Sequence, residues 1–500
     1  MNCLYAHFQQ YRKSDKRLVM NFPWCCFLAL KWKFSAVPKE AAAEMSRTDF
    51  DAIISRIYQL QDEAADLERK DGILLEMRRM VISQTFYQTD VRLIIMSLSR
   101  QHGWFCGSDT PYFRENFRRL TGFNLDSYYR MAFFLTLYVH LNEQQESGTI
   151  SVDRLIVWMV PIFGVQELKA FLQLVSLRPD EIGEFCLQHR RDTRTAEEYY
   201  ERTPFIRKPL YLSGDTLIMF SKHLLAAGLS TMVPDLLCEQ LPDTYGQKFG
   251  KVVERYLEDH LRKNYSNLIN EKELLGLYKR FGITGKVVDY LIKEGDAYVY
   301  IDSKAVSPHR HLRESASVLP LQNKIKSNLV EGLQKAEKCA AIVNGIEGRP
   351  ASIKDSAIIV VHQDHFISTG RFIAANIQPD VFDNLRSDIG YLPVPEERIY
   401  YLTVDEFETL TDVCRIHNLT LTEIIDRCAE ADSAPLTQKM NFYMHLAGML
   451  PHDYARRGEE ESAHSTLLSG FADCMRQLAA IWDGKVETFM QIKQELLRKD

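Results

Sequence analysis

The 500-residue chain lacks most of the features that would assign it to a specialised class at once. Its 24 glycines and 17 prolines follow no period, which excludes collagen-like and low-complexity architectures. No C-x-x-C pair occurs among its 10 cysteines, and the one adjacency, Cys25–Cys26, is unsuited to a shared zinc ion. Scattered thiols in a long chain point to a reducing compartment, so the expectation is a cytoplasmic protein. Neither sign of charge dominates. Lys+Arg 61 against Asp+Glu 67 gives −6, which excludes a globally basic nucleic-acid coat but leaves room for a local basic groove. Long apolar runs are missing too. Residues 21–30 are too short to span a bilayer, and residues 155–165 are broken by Pro161, so no membrane anchor is expected. No repeat of roughly 20–50 residues appears, which argues against a solenoid. The chain has no G-x-x-x-x-G-K-[ST] loop, H-E-x-x-H pair or G-x-S-x-G elbow, so ATP-driven translocation and serine hydrolysis find no support.

What is present is an ordinary globular composition, 46% hydrophobic and 26% charged. The length predicts about three domains, or two if one is large. Residues 1–46 are irregular in pattern, and Met45 rivals Met1 as the start. From Thr48, the residues Ile53, Ile57, Leu60, Ala64 and Leu67 fall on one helix face, a stripe expected to pack on neighbouring helices. Helical patterns continue to about 240, defining an all-α domain over 47–240 that would sense a partner or hold substrate. Within it, residues 189–208 interleave Arg190, Arg191, Arg194, Arg202, Arg207 and Lys208 with Tyr199, Tyr200 and Phe205. Asp192, Glu197, Glu198 and Glu201 dilute that charge, and the segment reads as a solvated linker rather than a nucleic-acid grip. Beyond 240, β-rich runs at 286–292, 297–305, 357–362 and 398–403 alternate with helical patterns at 246–264, 321–344 and 404–416. That alternation predicts an α/β core over 241–420, followed by a helical extension over 421–500.

The chemistry concentrates at 285–305. Two β-patterned runs flank Lys293-Glu294-Gly295-Asp296, which predicts a hairpin with a four-residue loop. In that register Asp289 faces Tyr300, with Asp302 on the next diagonal of the same face. Period-two alternation puts Tyr300, Asp302 and Lys304 on one side of the second strand. Neighbours across a pair lie about 5 Å apart and diagonals about 7–8 Å, within reach of one shared ion. Two converging carboxylates repel, and a hard dication such as Mg²⁺ removes that cost while keeping positions open for water and phosphate. A nearby ammonium would orient the water or offset charge in a transition state.

These residues resemble the PD-(D/E)XK phosphodiesterase superfamily, the restriction-endonuclease-like group. The resemblance rests on Val288-Asp289 on one strand, Asp302-Ser303-Lys304 closing the next, and a preceding helix, residues 249–261, that supplies Glu254. Gly250 beside Glu254 is expected to let that helix approach the sheet. Val288 stands where the family usually has proline. The resemblance covers roughly 245–415, about a third of the chain. It implies a mixed sheet flanked by helices, an Mg²⁺ or Mn²⁺ ion held by Asp289 and Asp302, Lys304 and Glu254 in the catalytic set, and substrate contacts from Gln334, Lys335 and Lys338. It also implies cleavage of nucleic acid, DNA ahead of RNA. The basic residues Lys304, Arg310, Arg313, Lys324, Lys326, Lys335 and Lys338, with His309 and His311 adjoining, would meet phosphate.

The expected function is therefore a metal-dependent nuclease, by analogy a bacterial antiphage effector or toxin governed by a protein trigger on its helical half. One alternative is an endoribonuclease for structured RNA such as tRNA; another is a non-catalytic interaction protein on a nuclease-like scaffold. Arg457 and His464 additionally fit the R-x₄₋₆-H pattern of metal-independent HEPN ribonucleases.

Overall fold

The computed structural model of the protein describes residues 23–36, 45–65, 73–87, 90–107, 111–142, 148–191, 196–305, 323, 325–350, 352, 354–362, 366–434, 437–450 and 461–498. The chain is mixed α/β and divides into two compact units. One comprises residues 1–66, 83–240 and 458–500; the other comprises 67–82 and 241–457. The helical extension expected over 421–500 is thus split, because residues 421–457 belong with the second unit and 458–500 with the first.

The first unit contains α1 (Pro23–Phe34), α2 (Arg47–Ala64), α3 (Val91–Cys106), α4 (Pro111–Thr121), α5 (Leu125–Leu141), β1 (Thr149–Ser151), α6 (Val152–Phe163), α7 (Val165–Val175), β2 (Ser176–Leu177), α8 (Ile182–Gln188), β3 (Leu210–Ser213), β4 (Thr216–Met219) and α9 (Lys222–Gln240). Helices Glu461–Met475 and Val486–Leu497 complete it. Three sequence expectations are corrected here. The unit is not all-α, since its strands form a four-stranded sheet in the order β1-β4-β3-β2. These strands are two to four residues long, too short for their alternation to stand out. The segment 1–46 is not wholly irregular: α1 forms within it, and its buried face of Cys25, Cys26, Phe27, Leu28 and Leu30 explains the apolar run. The stretch 189–208 is no solvated linker either. Glu198, Tyr199, Tyr200 and Phe205 are buried, and Lys31 reaches from α1 to Glu198 at 2.8 Å and Glu201 at 3.3 Å. Trp32 Nε1 also donates to Glu198, and Arg191 pairs with Glu201, which closes a clasp between α1 and this turn. On α2 the buried positions are Phe50, Ile54, Ile57 and Ala64, whereas Ile53 is exposed. Among the described residues no helix is long and apolar enough to cross a membrane.

The second unit contains α10 (Pro242–Asn264), β5 (Leu268–Asn270), α11 (Glu271–Arg280), β6 (Tyr290–Glu294), β7 (Ala297–Lys304), α12 (Glu331–Glu347), β8 (Ser356–Val361), α13 (Gly370–Asn376), α14 (Val381–Ile389), β9 (Ile399–Thr403), α15 (Val404–His417) and α16 (Leu421–Ala431). The five strands lie in sequence order. β5, β6 and β7 form an antiparallel meander, and β8 and β9 add in parallel to β7, as helical crossovers require. Proline at the first position of α10 and the Asn270–Glu273 capping box of α11 fix where these helices begin. Central β7 is buried on both faces, as its apolar neighbours in β6 and β8 demand. Its residues Tyr298 and Tyr300 join Leu291, Ala357, Ile359 and Tyr401 in the core beneath α12, with Leu333, Ala336, Cys339 and Ala340 on the helix side.

The hairpin differs from expectation in one respect that decides the site. The ladder runs to Glu294↔Ala297, so the loop is Gly295-Asp296, not four residues. Gly295 at φ +65 supplies the left-handed position that so tight a turn needs. The register moves by an even number of residues, so every side chain keeps its predicted face. One step past the last pair, Tyr290↔Ile301, Asp289 stands opposite Asp302 itself.

Candidate active site

Asp302 projects from β7 toward α12 and is fully buried. Asp289 sits just before β6, where the ladder ends, and is buried as well. Its Oδ2 accepts hydrogen bonds from the Ser303 backbone N–H at 2.7 Å and from the Ser303 hydroxyl at 2.6 Å. Those bonds fix the carboxylate and turn Oδ1 toward the Lys335 ammonium, 3.6 Å away. The same ammonium donates to Asp302 Oδ1 at 2.6 Å, so one cation is shared by both aspartates. Lys304 Nζ lies 2.7 Å from Asp302 Oδ2 but off the hydrogen-bonding direction, leaving that buried oxygen with a charge partner and no aligned donor.

Helix α12 comes this close because of Gly332. A Cβ there would meet Asp302 Oδ2 at 3.4 Å and Ile359 at 3.2 Å. The close approach expected at Gly250 is not found, since a Cβ there would meet only Glu254 Oε1, at 4.0 Å. Helix α10 is instead held by the Tyr290 hydroxyl, which donates to the Glu254 carbonyl.

Burial, with the charge of Asp289 second, pushes Asp302 up to about 6. Burial opposes the charge of Lys335, but the two aspartates outweigh it and raise its pKa. Glu254 is exposed at the rim, yet packing around its carboxyl and then the charges of Asp289 and Glu271 raise its pKa too. Like charges alone would give that direction, so it does not depend on the depth of the residue. The oxygens of Glu254, Asp289 and Asp302 do not all lie within 4.8 Å of one another. Glu254 therefore influences the aspartate pair across a gap and is not a third member of a tight triad.

The structure thus brings together Asp289, Asp302 and Lys304, with Glu254 nearby, and adds Lys335 to them. Lys335 was expected to touch substrate; its ammonium is on Asp302. Lys338 pairs with Asp388 of α14, and Gln334 is half-buried on the intervening face of α12. Of the basic stretch, Arg310, Arg313, Lys324, His309 and His311 lie outside the described residues. Sequence reasoning missed Ser303, Gly332 and Glu271. Ser303 is legible only as the middle residue of Asp-x-Lys, and nothing in the sequence marks Gly332 as the contact point. Arg457 also lies outside the described residues, while His464 Nδ1 is 2.9 Å from the Ser99 hydroxyl and its ring stands edge-on to Phe133.

The donor set suits a hard dication. Asp302 offers a buried oxygen lacking an aligned donor, Asp289 offers Oδ1, and both already converge on one positive charge. Comparison of the chain with known protein families, curated proteins and solved structures finds no match, so the functional reading rests on this geometry and on the sequence resemblance.

Proposed function

We propose that the second unit is a nuclease that hydrolyses phosphodiester bonds of nucleic acid with Mg²⁺ or Mn²⁺, DNA being favoured over RNA. The observation that carries this reading is the convergence of Asp289 and Asp302 on a single cation position beside Lys304. The order of elements supports it: a helix with Glu254, a meander carrying both aspartates, then a helix with Lys335 and a parallel strand. That order agrees with the mixed sheet and flanking helices implied by the PD-(D/E)XK resemblance.

Asp289 Oδ1 and Asp302 would hold the ion, and Ser303 keeps Asp289 aimed by occupying its other oxygen. A dication held there would supply Lewis acidity, able to polarise a phosphoryl oxygen and to acidify a water. Lys304, fixed at the end of β7, holds its ammonium where it can orient that water or offset phosphorane charge. Lys335 pairs with both aspartates, and its charge would be available to phosphate where a dication took over that pairing. Glu254 adds negative potential at the rim. The helical unit is the place for control by a protein trigger, as in antiphage effectors or toxins; this step is analogy.

One observation favours the non-catalytic scaffold: two lysines already neutralise the two aspartates. The readings separate in one assay. The purified chain is incubated with plasmid DNA and with total RNA, with Mg²⁺ or EDTA, beside Lys304→Ala. Cleavage that needs Mg²⁺ and disappears in Lys304→Ala is expected. Cleavage that persists in EDTA, or none on either substrate, overturns the proposal.

A further inference from the structure

We propose that the helical unit carries a second metal site, in which His102, Cys106 and Asp126 ligate one zinc-class dication. His102 and Cys106 stand four residues apart on α3 and share a helix face, the spacing that lets two side chains grip one ion. Asp126 enters from the first turn of α5. One ligand atom from each of the three lies within 4.8 Å of the others. Metal–ligand bonds of about 2.0–2.3 Å place tetrahedral ligand pairs roughly 3.3–3.8 Å apart. Side-chain rotation of about an ångström closes that difference.

A second observation points to a ligand. His102 is 9% exposed; its Nε2 lies 2.7 Å from Asp126 Oδ1, while its buried Nδ1 has no hydrogen-bond partner. The buried imidazole is thus held with Nε2 against the Asp126 carboxylate, and an ion entering there would take the place of the shared proton, with Nε2 and the carboxylate oxygen both among its ligands. Asp126 has a half-exposed side chain, so water can reach a fourth position.

The rival chemistry for these residues is a nucleophilic thiol activated by a His–Asp pair. Two features oppose it. Cys106 closes α3, so its sulfur is at the negative end of the helix dipole, where a thiolate is disfavoured. No hydrogen bond joins its Sγ to His102, whose Nδ1 stays unpartnered. A bound cation would instead favour the thiolate, because a metal binds it and displaces its proton. The donor set of one thiolate, one imidazole and one carboxylate selects zinc over magnesium, in contrast to the all-oxygen pair of Asp289 and Asp302. Bound metal would pin the last turn of α3 to the first turn of α5.

The test uses the full chain, stripped with chelator and reloaded with Co²⁺. A sulfur-to-cobalt charge-transfer band is expected, with the intense visible bands of tetrahedral cobalt, and one equivalent of Zn²⁺ should bleach both. The charge-transfer band should vanish in Cys106→Ser. His102→Gln and Asp126→Asn should weaken Zn²⁺ binding beyond the roughly 10–100-fold that loss of an outer partner costs. In the unsubstituted chain, Zn²⁺ should protect Cys106 from alkylation, read by peptide mass mapping, so the result does not depend on how any variant folds. Absence of the band in the unsubstituted chain, its survival in Cys106→Ser, or equal alkylation of Cys106 with and without Zn²⁺ each overturns the site. Asp302→Asn should leave all these readouts unchanged.

Discussion

Two buried lysine–carboxylate groups in this chain look alike and are built on opposite principles. In the helical unit, Lys31 and Arg191 face Glu198 and Glu201, and Trp32 donates a further neutral hydrogen bond. Arg191 also reaches Glu197, so two cations and the Trp32 N–H serve three carboxylates of one turn, and the result is a clasp that ties α1 to that turn about 170 residues away in sequence. In the sheet unit, Lys304 and Lys335 face Asp289 and Asp302, with the charges of Glu254 and Glu271 also reaching the cluster. The contrast lies in where the carboxylates come from: Glu197, Glu198 and Glu201 leave one turn, whereas Asp289 and Asp302 face each other across neighbouring strand ends, and burial with the charge of Asp289 pushes Asp302 up to about 6. Carboxylates set against each other across a ladder are what a dication relieves, which is why the second group, not the first, supports a metal-dependent reading.

The sharpest way to break this comparison is to exchange charge for an isostere on each side. Asp302→Asn should lower Mg²⁺-dependent cleavage by about 10³-fold or more while leaving the denaturant midpoint nearly unchanged, since it relieves a buried like-charge contact. Lys31→Met should do the reverse, costing about 3–5 kcal/mol in urea unfolding because it strands Glu198, with Mg²⁺ binding untouched. If both variants lose stability alike, the aspartate cluster is another clasp.

Two smaller effects sharpen it. Glu337 on α12 is buried; its Oε2 accepts the Val394 N–H, and burial pushes its pKa from 4.5 up to about 8. The unfolded chain loses this proton near 4.5 and the folded chain only near 8, so stability falls as pH rises through that window. Urea melts between pH 5 and pH 8.5 should show a decline on the order of a few kcal/mol, and Glu337→Gln should flatten it. The smallest effect is at Lys335. If its ammonium is a placeholder, Lys335→Met should tighten Mg²⁺ binding roughly tenfold by calorimetry, whereas a catalytic cluster dependent on that charge for its shape would lose Mg²⁺ affinity.

The sheet unit was the more legible half, for physical reasons. Four of its strands, β6 to β9, are long enough to display period-two alternation or continuous apolar runs, and Asp302 and Lys304 share a face by their spacing alone, with Asp289 joining them for any even change of register. The run beginning at Lys286 was misjudged because Val287 and Val288 are buried without entering the ladder, which starts at Tyr290. The strands of the helical unit were illegible, being two to four residues long and stabilised by pairing across the chain. The partnership of Lys335 with Asp302 depends on how α12 lies on β7, a tertiary fact that no spacing encodes. The His102–Cys106–Asp126 group was missed for the same reason: two of its members share a helix face, but the third comes from another helix.

The Gly295-Asp296 turn acts as a phase setter for the whole centre. A ladder slipped by one residue at this tip would send Asp302 and Lys304 through the sheet to the side away from α12, where neither Lys335 nor Gly332 could meet them. A slip of two would restore their side. What the buried carboxylate imposes on this surface tip is therefore a parity of pairing, whatever number of residues the loop itself holds.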